Sequence, residues 1–170
     1  ISLSLGHHNP GFTDASDPLT VACDAMAEAG IIVVSSAGNS GAEKDISIPS
    51  DGRHVISVAA VDADGALARF SSCGPTSDDR AKPDIAAPGV MVVAPLSRHC
   101  DLPELEGIPG YTALSGTSMA CPVVTGVTAL LIGTGLKGSA DAERIRAAFR
   151  NPKLCGHATC PPGTRADHAV

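Results

Sequence analysis

Apolar residues along the chain gather into short β-branched runs, set apart by one amphipathic stretch and by Gly- and Pro-rich segments. ISLSL (1–5) has strand character and leads into a loop of Gly, His, Pro and Asp. From Leu19 to Ala29 apolar residues recur at 19, 22, 26 and 29, the spacing of one helix face. Asp17 before Pro18 can cap that helix, and Gly30 can end it. IIVVSS (31–36) then predicts a strand. Strand, helix and strand in this order make a βαβ unit, which implies a parallel sheet with right-handed crossovers.

Two further runs, HVISVAAV (54–61) and VMVVAP (90–95), predict buried strands. Between them, FSSCGPTSDDRAKPDIAAPG (70–89) predicts loop with short extended pieces. After Ser118, MACPVVTGVTALLIG is almost wholly apolar and predicts a helix buried on all sides, with Pro122 in its first turn. SADAERIRAAFR (139–150) predicts a last helix capped by Ser139, with acids early and arginines late as the helix dipole favours. Residues 151–170 are polar and rich in Pro and Gly, and predict a surface tail.

Composition narrows the class. With 170 residues, 44% hydrophobic and 18% charged, the chain suits one globular domain with a real core. Aromatics are only 2%, so that core must be built from Ala, Val, Ile and Leu. A net charge of −6 without basic clustering argues against a nucleic-acid surface. No apolar run has the length to cross a bilayer, and the start shows no signal-peptide pattern. Ile1 reads as mid-strand, so the chain reads as cut from something longer. The six cysteines include no CxxC pair, which removes zinc-type spacing. Cys23 and Cys121 fall on apolar helical stretches, as small buried hydrophobes do. Cys155 and Cys160 are near enough to bridge, but spacing leaves the pairing open.

Ser118 has two readings, a helix cap or a nucleophile. LSGTSMACP (114–122) resembles the nucleophile motif of the subtilisin-like serine peptidases, the subtilases. SSAGNSG (35–41) is similar to that family's oxyanion-hole loop, and SLG (4–6) to its substrate-binding strand. FSSCGPT (70–76) and KPDIAAPG (82–89) resemble the family's segments between them, in the same order. The likeness runs from Ile1 to about Arg150.

It implies an α/β fold with a doubly wound, mostly parallel sheet in three layers, incomplete on its N-terminal side. Residues 1–150 would be the C-terminal part of the catalytic domain, and 151–170 the tail. The implied activity is serine endopeptidase, through an acyl-enzyme on Ser118. Helix dipole and free N–H groups beside Ser118 would stabilise the oxyanion, with the Asn39 amide as second donor. Gly38 and Gly41 fit a loop that lets substrate approach its backbone. Ser4, Leu5 and Gly6 would dock an extended peptide by strand addition. With Ser36, Ala37 and Gly38 they would wall a roomy, mainly apolar pocket for the residue preceding the cleaved bond.

A hydroxyl needs a base to become a nucleophile. In the family an aspartate and a histidine precede the SLG strand, and neither motif occurs in these residues. His7, His8, His54, His99, His157 and His168 lack the family's histidine context; His7 and His8 are expected to flank the cleft. Loss of the base costs roughly 10⁶ in turnover in this enzyme class, so the chain alone is expected to be inactive. A parallel sheet lacking its first strands would also leave an apolar edge and promote aggregation.

The expected partners are protein or peptide substrates and the missing N-terminal part of the same domain, with no nucleic acid and no membrane. No cofactor is evident. Calcium, which many relatives bind, is implied only as a structural ion of the full-length protein, since no acidic run has calcium-loop spacing. The resemblance also implies a secreted or extracytoplasmic setting. Two alternatives stay open. One is a sedolisin-like acid peptidase, which Asn39 counts against because those enzymes carry aspartate there. The other is a subtilase-like pseudo-enzyme serving as a peptide-binding or structural module.

Overall fold

Asp17 opens the first helix: its Oδ1 accepts the Leu19 N–H at 2.9 Å, and Pro18 supplies a first turn with no donor to lose. Helix α1 (Pro18–Glu28) then stops, and Gly30 takes the left-handed conformation at φ 93°. The computed structural model describes residues 1–9, 13–135 and 139–150, apart from the side chain of Ser139. The expectations for residues 151–170, for Cys155 and Cys160, and for Ser139 as a cap lie outside the described residues.

Strands β1 (Ser2–Leu3), β2 (Val34–Ser36), β3 (Ile56–Val61) and β4 (Ile85–Pro88) form one parallel sheet in that spatial order. Ser2 lies opposite Val34, Val34 opposite Ile56, and Val58 opposite Ile85. Strand alternation sends successive side chains to opposite faces. Val34, Ile56, Val58 and Ala60 pack on one face against helices α2 (Thr117–Gly133) and α3 (Ser139–Phe149), through residues such as Ala120, Val124, Ile145 and Phe149. On the other face Val33 and Val55 pack against Cys23 and Ala27 of α1. Helices on both faces make the three-layer, doubly wound α/β arrangement that the pattern implies.

Four local expectations change. The 31–36 strand is shorter, beginning at Val34. The segment 70–89, expected to be loop with short extended pieces, does supply one: IAAP is β4 at the end of the sheet, where Pro88 removes no needed donor. The run at 90–95 does not join the parallel sheet. Its strand β5 (Val92–Pro95) pairs antiparallel with β6 (Tyr111–Leu114), and Val93 is half exposed. The chain leaves the sheet at Gly89, whose N–H reaches Val61 O and whose carbonyl accepts from Gly116. A Cβ at Gly89 would sit 2.6 Å from Ala60 Cβ, so glycine is required for that crossing. Finally, α2 is buried on one face only: Ala120, Cys121, Val124 and Thr128 are inside, while Val123, Val127 and Ile132 are exposed and Leu130 is 75% exposed. The sheet covers a single side of that helix, and uniform apolarity has no period to reveal which. Pro122 sits beyond the first turn, inside α2.

A buried ionic cluster ties the last helix to the sheet. Lys82 Nζ donates to Val55 O and to Asp84 Oδ2, both at 2.6 Å, and Arg150 Nε donates to Asp84 Oδ1 at 2.6 Å. Burial pushes the Lys82 ammonium pKa down, and the Asp84 carboxylate opposes that shift. Cys23 and Cys121 are buried free thiols, Cys100 is an exposed one, and Cys73 is disulfide-bonded. Among the described residues no helix is long and apolar enough to cross a membrane.

Candidate active site

The N-terminus of α2 tests the helix-cap reading of Ser118. Gly116 occupies the cap position in extended conformation, with no side-chain cap bond, so Ser118 is the second helical residue and not the cap. The first N–H groups of a helix have no intrahelical acceptor. Here the Thr117 N–H goes to Asn39 Oδ1 at 2.9 Å and the Met119 N–H to Gly116 O at 3.0 Å. Among the described residues the Ser118 N–H meets no acceptor, and it lies in the positive end of the helix dipole. The half-buried Ser118 directs its Oγ to the carbonyl of Ser4 at 3.5 Å.

Asn39 is oriented by its own carbonyl. Oδ1 accepts both the Thr117 N–H and the Thr117 hydroxyl, the latter at 3.0 Å. Two donors on Oδ1 fix the amide's sense, so Nδ2 is the end left over. That nitrogen points toward the turn before Ser118, 3.5 Å from where a Gly116 Cβ would stand. The main-chain donor of Ser118 and the exposed amide of Asn39 thus belong to residues that line one cleft. A negative oxygen forming there would be stabilised by both.

Thr117 was not singled out in the sequence, yet it joins the two motifs. Fully buried, its Oγ1 accepts the Gly38 N–H at 3.2 Å while donating to Asn39. The signal available was its place between Gly116 and Ser118, which is silent about a partner 78 residues away. Thr117→Val keeps the volume and removes this bridge. In a longer protein that contains this chain, kcat for a peptide substrate is expected to fall about tenfold, the scale of one or two lost hydrogen bonds. Parallel kcat and KM measurements on Thr117→Val and Thr117→Ser check it, with Ser restoring most of the loss.

A cleft of about 340 Å³ opens beside Ser118. Leu5, Gly6, Ser36 and Gly38 line it together with Asn39. Two of the expected wall residues do not. Ala37 is fully buried beneath the cleft, its N–H bonded to Val58 O and its carbonyl to Ser47 N. Ser4 turns its hydroxyl to the Ser118 carbonyl at 2.8 Å. Ser4 to Gly6 extend beyond β1 without a ladder partner, up to a single bridge between His7 and Ile48, so their main chain is open to an added strand.

The wall of the cleft mixes serine hydroxyls with apolar surface, where the small side chains imply a mainly apolar pocket. Ser47 and Ser72 come from segments distant in sequence and join Ser36 and Ser40 on its wall. Gly38, at φ 110°, is the close approach: a Cβ there would stand 2.7 Å from Ser72 Oγ. His7 and His8 also line the cleft. Their Nε2 atoms face carboxylates, His7 with Asp17 at 3.4 Å and His8 with Asp45 at 2.7 Å, while His54 faces Glu28 at 3.5 Å. Among the described residues no imidazole hydrogen-bonds Ser118 Oγ. No group of three or more His, Cys, Asp or Glu side chains there is placed to hold a metal ion.

Comparison with known proteins converges on one family. The Subtilase family matches residues 1–157. Serine protease AprX of Bacillus subtilis is 37% identical over 145 residues, 78% of this chain and 33% of that protein. Subtilisin DY of Bacillus licheniformis is 36% identical over 149 residues, 86% of this chain and 47% of the relative. Among solved structures, the prenylagaramide maturation protease PagA superposes with a TM-score of 0.66 at 26% identity, covering 91% of this chain and 53% of that one. The chain therefore spans a third to a half of the length of these relatives. The family model covers most of the chain, the three-layer fold agrees with the solved structures, and the chain belongs to the subtilase family.

Proposed function

We propose that this chain carries the nucleophile and oxyanion-stabilising part of a serine endopeptidase, whose complete catalytic domain includes an aspartate and a histidine outside these residues. The observation that carries this reading is that Ser118, at the start of α2 with its N–H unbonded among the described residues, and Asn39, oriented through its Oδ1, line the same cleft. Ser118 Oγ would attack the scissile carbonyl and give up its proton to the histidine. The carbonyl oxygen would move, as an anion, between the two donors. The leaving amine would depart protonated, and water would then release the acyl group. Protein or peptide segments are the substrates, held as an added strand along Ser4 to Gly6. The serine-lined cleft fits a small or polar side chain preceding the cleaved bond. A setting outside the cytoplasm rests on the family likeness.

Fluorophosphonate labelling tests this. The 170-residue chain by itself is expected to label no faster than a surface serine, because no base among the described residues hydrogen-bonds Ser118. A longer protein that includes the upstream residues should label stoichiometrically at Ser118 and lose peptide hydrolysis in step. Rapid labelling of the 170 residues alone would show that the base lies within them. A longer protein that binds peptide but neither labels nor cleaves would favour the binding-module reading.

A further inference from the structure

Pro122 stands four residues after Ser118 inside α2, the position from which a helical N–H would bond the Ser118 carbonyl. Proline has no N–H, so the helix cannot satisfy that carbonyl itself. The missing donor comes from another element: Ser4 Oγ donates to Ser118 O at 2.8 Å, across 114 residues of sequence. In return Ser118 Oγ lies 3.5 Å from Ser4 O. The two serines thus address each other's main chain. Ser2, two residues earlier and so on the same side of the strand, meets the same helix two turns on. Its Oγ lies 2.9 Å from Thr125 Oγ1, which also donates toward the Cys121 carbonyl at 3.0 Å. β1 is therefore laced to the nucleophile's helix by side-chain hydroxyls at alternate positions.

We infer that the Ser4 hydroxyl is a positioning residue for the nucleophile: it caps the carbonyl that Pro122 leaves without a helical donor. Through that bond it fixes the Ser118 main chain, and with it Oγ and the free N–H, against the strand that holds the substrate. The role is separate from docking, which uses the Ser4 main chain. The inference rests on the serine-peptidase reading above. An unpaired carbonyl can recover a donor only if the helix start shifts or water enters. A shift displaces the attacking oxygen, and a water holds the carbonyl without tying it to the strand; small displacements are costly when geometry sets the rate.

The test uses the longer protein, with kcat and KM for a peptide substrate, the rate of fluorophosphonate labelling, and a thermal melt for each variant. Ser4→Ala is expected to lower kcat and the labelling rate together by about tenfold, the scale of one hydrogen bond, with KM changed less than about twofold. Ser4→Thr keeps the donor and should recover most of the loss. Pro122→Ala returns a helical N–H to the Ser118 carbonyl. In that background Ser4→Ala should cost less than about threefold, the non-additivity expected of two donors serving one acceptor.

A rise in KM with kcat unchanged would overturn the inference, because it would place the hydroxyl against substrate. So would an equal loss for Ser4→Ala in both backgrounds, or a Ser4→Thr variant no better than Ala. A parent protein that neither labels nor cleaves would instead refute the peptidase reading beneath it.

Discussion

Ser118→Ala in the longer protein is expected to lower kcat for peptide hydrolysis by roughly 10⁶, leaving about 10³–10⁴ over the uncatalysed reaction. The size follows from what remains. Ser118 supplies the only atom that forms a bond to the substrate carbonyl in the proposed reaction. Its main-chain N–H is unchanged in the variant, as is the Asn39 amide, so the anion site and the docking strand survive. Fluorophosphonate labelling should vanish while peptide binding persists. Since α2 is held by Thr117, Ala120, Cys121 and Val124, all buried, the melt of the variant should match the parent. A variant within tenfold of the parent's turnover would mean that another residue attacks.

Asn39→Ala is expected to lower kcat by about 10²–10³ with little change in KM, as loss of the corresponding side-chain donor does in subtilisin, a member of the same family. In the proposed reaction the amide nitrogen meets an oxygen that is anionic only during reaction, so its loss would fall on kcat and not on ground-state binding. Alanine also strips the acceptor from the Thr117 N–H and hydroxyl, which adds a structural cost. Asn39→Asp separates the two effects. The aspartate keeps an oxygen where Oδ1 stands, so both Thr117 donors stay satisfied. It removes the Nδ2 donor and sets a negative charge beside the developing anion. Its loss in kcat should equal or exceed that of Asn39→Ala, with a melt nearer the parent's. Retained turnover in Asn39→Asp would show that the residue only braces the turn.

Much of the chemistry was legible before any coordinates. Asp17, Pro18 and Gly30 mark a helix through contacts no longer than a turn, and α1 falls between them. The apolar runs around Val34 and Val58 form the centre of the parallel sheet because β-branched runs of that length have few other uses. Ser118 and Asn39 were found through short motifs in a fixed order. What those motifs leave out is how their atoms meet. Thr117 reads as a spacer between Gly116 and Ser118, but its hydroxyl is the bond between the nucleophile turn and the Gly38–Asn39 loop. Ser47 and Ser72 carry no motif at all, and they add hydroxyls to the cleft wall.

The sequence by itself determined the elements whose signals are local: capped helix, β-branched strands, the glycine-bounded loops, and the residue types able to attack a carbonyl and cradle an anion. The tertiary structure alone decided that β5 pairs with β6 away from the sheet, that one face of α2 is covered, and that Ser4 reaches the Ser118 carbonyl. The reason is physical. Turn, cap and period preferences act over a few neighbouring residues, whereas a hydrogen bond across 114 residues exists only once the order of strands has brought β1 beside the start of α2.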